Sequence, residues 1–244
     1  MIRQTHGAPA IPTSADLPDL SFRTIYSGAL SGRSCYAGEL EDGRLLSSAL
    51  NRIGLRQLHG RLPDEVYKAA GYALQIAQWD RGHRYCGRCG HPTRDKSDER
   101  AKICTACQAV VFPRISPAVI MAVLKGDRIL LGRSNRFKHT RMFSVLAGYA
   151  EVGETLEACV RREVKEEVGI DVKNIRYFGS QPWHYSSSLM IGFTAEYAGG
   201  EITPDRAEIA EAGWFAADDL PEIPGWGSIA RQLIDWFAGR KKPL

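Results

Sequence analysis

Apolar positions along this chain recur at two different periods, and the two periods divide it into strands and helices. Ala118 to Leu124 reads AVIMAVL, an unbroken apolar run of the length of a buried strand, followed by a KGD turn and by Arg128 to Leu131 as its hairpin partner. Val172 to Gly179 and Leu189 to Tyr197 are two further apolar runs that predict strands, and EAGWF around Trp214 predicts another. Elsewhere the spacing widens to that of a helix. Leu156, Val160, Val164 and Val168 recur every fourth position, and Ile229, Leu233 and Phe237 share one face of a helix expected over Ser228 to Phe237. An earlier helix is expected from Pro63 to Trp79, leading into a cysteine-rich stretch. Pro113 and Pro117, in VVFPRISP, disfavour helix and mark a crossing between modules. Mixed strands around helices predict an α/β sandwich from 113 to 244, preceded by a cysteine module at 81–112 and a small α+β module at 1–80.

Composition narrows the class without naming a chemistry. The chain has 244 residues, 44% hydrophobic and 25% charged, enough for a sizeable core and without a disordered or membrane signature. A net charge of +4 would assist the approach of an anionic nucleotide, but is too small to argue for nucleic-acid binding on its own. The opening MIRQTHGAPAIPTS has no sustained apolar stretch, so a cytoplasmic setting is expected, with no membrane partner.

The helix that carries Val160 and Val164 also carries Glu163, Glu166 and Glu167, three and four positions apart on its other face. Like charges so placed each destabilise a bare helix by about 0.2–0.5 kcal/mol, a cost that vanishes when a hard divalent cation takes the oxygens. Mg²⁺ or Mn²⁺ is the expected occupant. Such ions neutralise anionic charge, acidify a bound water and stabilise a leaving oxygen. A covalent nucleophile is not expected: there is no G-x-S-x-G, and Cys35 and Cys159 have no evident base beside them.

Upstream, CGRC and CTAC set Cys86, Cys89, Cys104 and Cys107 in two C-x2-C knuckles fourteen residues apart. Four thiolates at this spacing suit tetrahedral zinc, and with no position left for water the zinc should be structural. Disulfides are the competing reading, which a reducing compartment disfavours.

The run from Gly148 to Ile170 meets the spacing G-x5-E-x7-R-E-V-x-E-E-x-G-I through Gly148, Glu154, Arg162, Glu163, Val164, Glu166, Glu167, Gly169 and Ile170, and so resembles the box of the Nudix hydrolases. YCGRCG, FPRISPAVI, LAGYAEVGETLE, SQPWHYSSSLM and GSIARQLI resemble the NADH pyrophosphatase branch of that superfamily, over roughly 78 to 237. The resemblance implies a Nudix α/β/α sandwich behind a zinc ribbon. It also implies a homodimer hydrolysing NAD(H) to nicotinamide mononucleotide and AMP and, in bacterial members, removal of NAD caps from RNA. Glu163, Glu166 and Glu167 are implied metal ligands, Arg162 their support, Glu154 a stabiliser of loop and helix, and Glu208 a distal acidic residue near the metals, with Glu211 as its substitute. Phe112, Ala147, Tyr149, Gln181, Trp183 and Ala230 are implied substrate contacts, Tyr149 by stacking on adenine and Ala230 through its backbone.

The chain departs from the branch signature where Pro-Phe-Pro is expected, having His184, Tyr185 and Ser186. Losing two prolines should loosen that loop, with His184 a tolerated surface replacement, and should broaden substrate choice. Two alternatives therefore stand beside NAD(H) hydrolysis. One is a pyrophosphatase of ADP-ribose or another dinucleotide. The other is a non-catalytic zinc-ribbon nucleic-acid binder, against which the complete box and the mixed charges of RDKSDERAK argue.

Overall fold

A computed structural model describes residues 2–5, 8–17, 23–39, 50–135 and 141–239. They form two compact units: 1–114 with 184–187, and 115–183 with 188–244.

In the first unit β1 (Ile2–Thr5) pairs with β2 (Ala8–Ala10). Strands β3 (Thr24–Leu30) and β4 (Arg33–Gly38) form a hairpin. Its turn residues, Ser31 and Gly32, both have positive φ (48° and 75°), the geometry that matches the twist of a two-residue hairpin. The short β5 (Leu50–Asn51) completes a three-stranded sheet on the other edge of β1. Helix α1 spans Asp64–Gly82, three residues beyond the expected end, and its Tyr67 packs with Leu58 and Leu62 in a small core. The cysteine module follows as three short antiparallel strands, β6 (Thr93–Asp95), β7 (Lys102–Cys104) and β8 (Val110–Val111). Within this unit Lys102, 2% exposed, meets Asp80 of α1, 3% exposed, at 2.7 Å. Arg23 also reaches Asp80 at 2.7 Å and Asp95 also reaches Lys102 at 2.8 Å, so a buried charge pair is compensated on both sides.

The second unit is built on β9 (Ser116–Lys125), the predicted buried strand. It pairs in parallel with β13 (Ser188–Gly199), and its other edge is shared between the start of β10 (Arg128–Ser134) and β11 (Leu146–Tyr149). Strand β10 (Arg128–Ser134) carries β14 (Ile209–Ala216), and β12 (Asp171–Pro182) closes the far side in the order β12-β13-β9-β10-β14. Alternation along β9 explains the layers. Val119, Met121 and Val123 pack into one core with Val160, Val164 and Val168 of α2 (Leu156–Val168), while Ile120, Ala122 and Leu124 pack into a second with Ile229, Leu233 and Phe237 of α3 (Ile229–Gly239). A strand covered on both faces has no polar side, which is why its sequence reads as one apolar run.

Candidate active site

Helix α2 starts where Thr155 turns its hydroxyl back to accept from the Ala158 N–H at 3.2 Å, and it stops at Gly169, whose φ of 78° is the left-handed conformation that ends helices. Between these caps the apolar stripe fixes the rotation of the helix. Val160, Val164 and Val168 have no exposure, and the turn between them brings Glu163 and Glu167 to the edge of the core, where both are buried, and leaves Glu166 exposed.

Arg162 organises this edge. Its Nε and Nη2 donate to the two oxygens of Glu154 at 2.8 Å each, its Nη1 donates to Glu163 at 2.8 Å and to Glu166 at 2.9 Å, and Nη2 also donates to the Tyr149 carbonyl at 2.9 Å. One planar guanidinium thus ties the loop before α2, the end of β11 and two of the three glutamates together. The fork from Arg162, with the Glu151 N–H, holds the Glu154 carboxyl at about 2, and the same bonds raise the Arg162 pKa. Glu163 is displaced the other way: burial raises its pKa against the pull of Arg162, and the charges of Glu166 and Glu208 add to the rise. One guanidinium among this many carboxylates leaves the edge net negative; Glu163 and Glu166 are drawn to Arg162, and among the described residues the group whose ligand atoms converge closely enough to hold a metal is the four cysteines.

Gly148 sets the distance between sheet and helix. It pairs with Val119 in β11, and a Cβ built on it would overlap Cδ and both oxygens of Glu163. Only a residue without a side chain lets the carboxylate lie there.

Of the two distal acids, Glu208 is exposed just before β14, its backbone held by bonds to Asp205 and Asn135, and its charge is felt at Glu163. Glu211 sits opposite Arg133 in the β10–β14 register and pairs with it at 3.4 Å.

The opposite face of β11 presents Ala147 and Tyr149, both exposed. The Tyr149 hydroxyl shares a 2.8 Å hydrogen bond with Ser188 Oγ. Tyr149 is opposite Ala118, Ala118 opposite Met190, and Met190 opposite Gln181, so the four form one row across the sheet. Gln181 spends both ends of its amide on the start of α3: Nε2 donates to the Gly227 carbonyl at 2.6 Å and Oε1 accepts from the Ile229 N–H at 2.8 Å. It therefore holds the turn before the buried Ala230. Trp183 is partly buried, and its backbone N–H donates to the Ser188 carbonyl at 2.9 Å. Phe112 is exposed in the first unit, directly after β8. A separate surface cavity of about 730 Å³, lined by Lys125, Lys173, Arg176 and Trp236 among others, contains none of these residues.

The altered signature corrects the sequence reading. Residues 184–187 pack as part of the first unit and are held, not loose. Tyr185 shares a hydrogen bond with Tyr67 and lies under the Arg56 guanidinium at 4.6 Å, and Gln75 donates to the Ser186 carbonyl at 2.5 Å. His184 is no surface replacement: its ring lies against the Cα of Gly71, where a Cβ would overlap it, and its Nδ1 is buried. Side chains of α1 do what two prolines would have done, restricting the segment before it meets a ligand. Residue spacing gave no sign of this, because the partners lie more than a hundred positions away.

The four cysteine sulfurs lie within 4.8 Å of one another, with Cys86 to Cys107 at 3.7 Å and Cys89 to Cys104 at 3.4 Å. Zinc–sulfur bonds of about 2.3 Å in a tetrahedron need sulfurs about 3.8 Å apart, so the set fits zinc. Backbone N–H groups of Cys107 and Ala106 point at Cys104, holding its thiol down at about 6, and that of Arg88 points at Cys86. The knuckles match each other: Gly90 after Cys89 and Gln108 after Cys107 both take positive φ, 76° and 58°.

The NUDIX domain matches residues 114–237, and the NADH pyrophosphatase zinc ribbon domain matches residues 81–112. A protein named NAD-capped RNA hydrolase NudC from Pseudomonas fluorescens is 47% identical over 226 residues, covering 93% of this chain and 80% of that protein. One of the same name from Pseudomonas entomophila is 50% identical over 194 residues, covering 80% of this chain and 70% of that protein. Among solved structures, a NUDIX hydrolase from Nitrosomonas europaea aligns with a TM-score of 0.56 at 19% identity, over 65% of this chain and 92% of the other, a likeness of fold.

Proposed function

The chain belongs to the NUDIX family, and on that premise we propose that it hydrolyses the pyrophosphate bond of NAD(H), giving nicotinamide mononucleotide and AMP, and removes the same dinucleotide when it caps RNA. The observation that carries this reading is the Arg162 fork holding Glu163 and Glu166 together against Gly148, in a chain whose relatives are named NAD-capped RNA hydrolase. Glu163, Glu166 and Glu167, joined by Glu208, would hold Mg²⁺ or Mn²⁺, which when bound supplies neutralisation of the pyrophosphate and of the leaving oxygen.

The remaining work falls to the chain itself. Arg162 keeps two carboxylates in place, and Glu154, its partner on the other side, keeps Arg162 from turning toward the phosphates. Tyr149 offers an exposed ring to adenine while Ser188 fixes its hydroxyl, and Ala230 faces the base through its backbone. Gln181 acts on substrate indirectly, by setting the turn before α3. Phe112, in the first unit, and Trp183, in the second, are each proposed as substrate contacts. The four cysteines hold a structural zinc. A homodimer in the cytoplasm is the setting proposed with this activity; among the described residues no helix is long and apolar enough to cross a membrane.

The test is a panel of NAD⁺, NADH, ADP-ribose and NAD-capped RNA, each with Mg²⁺ or Mn²⁺. Release of AMP and nicotinamide mononucleotide from NADH at a higher kcat/KM than hydrolysis of ADP-ribose is expected. Turnover confined to ADP-ribose would replace the proposed substrate.

A further inference from the structure

Trp226 is 73% exposed, an unusual position for an indole, yet its setting is rigid. The Arg231 guanidinium lies 3.9 Å from its ring centroid. Arg231 is itself fixed, with Nε donating to Asp235 at 2.8 Å and Nη1 to the Pro224 carbonyl at 3.3 Å, and its side chain is only 19% exposed. Ser228 closes the turn by donating to the Gly225 carbonyl and accepting from the Arg231 N–H, both at 3.2 Å. Gln181 grips Gly227 and Ile229 from the sheet. One face of the indole is thus covered by a cation and the other is open to solvent.

This turn stands at the end of the row that begins at Tyr149. With strands about 4.8 Å apart, Tyr149 and Gln181 are separated by three strand spacings, about 14 Å. Gly148 turns toward Glu163 and α2, so Tyr149 and the row with it face α3, where Met190 joins the second core. One end of the row thus carries the exposed ring of Tyr149, and at the other Gln181 holds Gly227, next to the exposed Trp226; a dinucleotide carries one planar ring at each end.

We propose that Trp226, backed by Arg231, is the stacking platform for the nicotinamide ring of the dinucleotide, a role that rests on the activity proposed above. The cation behind the indole adds a selectivity. An oxidised nicotinamide ring is positively charged and a reduced one is neutral, and a positive ring on the open face would face Arg231 across the indole. Asp235 offsets part of that charge without removing it, since it bonds Nε from the helix side. The platform thus favours NADH over NAD⁺.

Steady-state kinetics of Trp226→Ala, Trp226→Phe and Arg231→Gln on NADH, NAD⁺ and ADP-ribose test this. ADP-ribose lacks the nicotinamide ring, so it separates a ring contact from a general loss. Trp226→Ala should raise KM for NADH about tenfold with kcat within about twofold, leave ADP-ribose unchanged, and be largely rescued by Trp226→Phe. Arg231→Gln should lower the NADH to NAD⁺ ratio of kcat/KM. Equal losses on NADH and ADP-ribose, an unchanged KM for NADH, or a change of mass in solution on Trp226→Ala would overturn the assignment, the last by making the indole a subunit contact. If the wild-type protein does not cleave NADH, the activity itself fails. Cleavage that is indifferent to Trp226 sinks the platform alone.

Discussion

Replacing Gly148 by alanine is the smallest change that should disable this enzyme. Gly148 is an ordinary residue of β11, paired with Val119, so alanine brings no backbone strain; what it brings is a methyl group in the space of the Glu163 carboxylate. Ordinary contact between carbon and its neighbours lies near 3.5–4.0 Å, so Glu163 must retreat by more than about 1 Å. It cannot do so and keep the 2.8 Å bond from Arg162 Nη1, which also holds Glu166. A displacement of about 1 Å in a group that positions a reaction costs roughly 10² in rate, and loss of one charge contact in the transition state roughly 10²–10³. Turnover should therefore fall about 10²- to 10³-fold at saturating Mg²⁺ or Mn²⁺.

Crowding also has a cost in stability, of about 1–3 kcal/mol, or a few degrees in Tm for a chain of this size. The cause can be isolated by a double-mutant cycle, because the destabilisation by Gly148→Ala should vanish when Glu163→Ala has removed the carboxylate. Gly82→Ala is the control, since nothing lies within 4 Å of a Cβ at that position in α1. Turnover of Gly148→Ala within threefold of wild type, or the same loss of stability in the Glu163→Ala background, would refute the reasoning.

Cys104→Ser should lower zinc content and Tm together, because it removes one of four converging sulfurs and the one most biased toward thiolate; elemental analysis showing undiminished zinc would contradict this. Asp80→Ala should destabilise the first unit by about 1–3 kcal/mol in denaturant titration, since the buried Lys102 would keep only Asp95, itself largely exposed, as its partner, and a loss below about 0.5 kcal/mol would show the pair to be dispensable. The pKa of His184 is lowered, first by burial and then by the charge of Lys68, and it is faced by Tyr67 of the same helix. Unfolding then takes up a proton on acidification, so stability that is full above the unfolded value near 6.5 is lost as pH falls through it. His184→Gln should flatten the fall of Tm between pH 7.5 and 5.5, and an unchanged slope would place the acid sensitivity elsewhere.

Legibility in the sequence followed the range of the interactions. The stripe of α2, the buried run of β9 and the two cysteine knuckles are local, set by residues within four positions or by a fixed loop, and their elements lie where the spacing put them. Strand β11 escaped because four residues, LAGY, carry no alternation that separates a short strand from a loop. Its importance comes from Glu163, fifteen positions on from Gly148, whose carboxylate needs the missing side chain.

The segment 184–187 shows the same limit in its other form. A proline restricts a loop through its own covalent ring, which any reader of the sequence sees, whereas His184, Tyr185 and Ser186 are restricted by Gly71, Tyr67 and Gln75, which only folding brings to them. The two devices are not equivalent. Proline lowers the entropy of the unfolded chain, so its restriction survives any weakening of the surroundings, while a loop held by α1 is as ordered as the packing of α1 allows. Substitution of Gly71 thus reaches a segment that in the branch signature would be indifferent to it. Order at residues 184–187 rests on the helix of the first unit and not on the backbone of the loop.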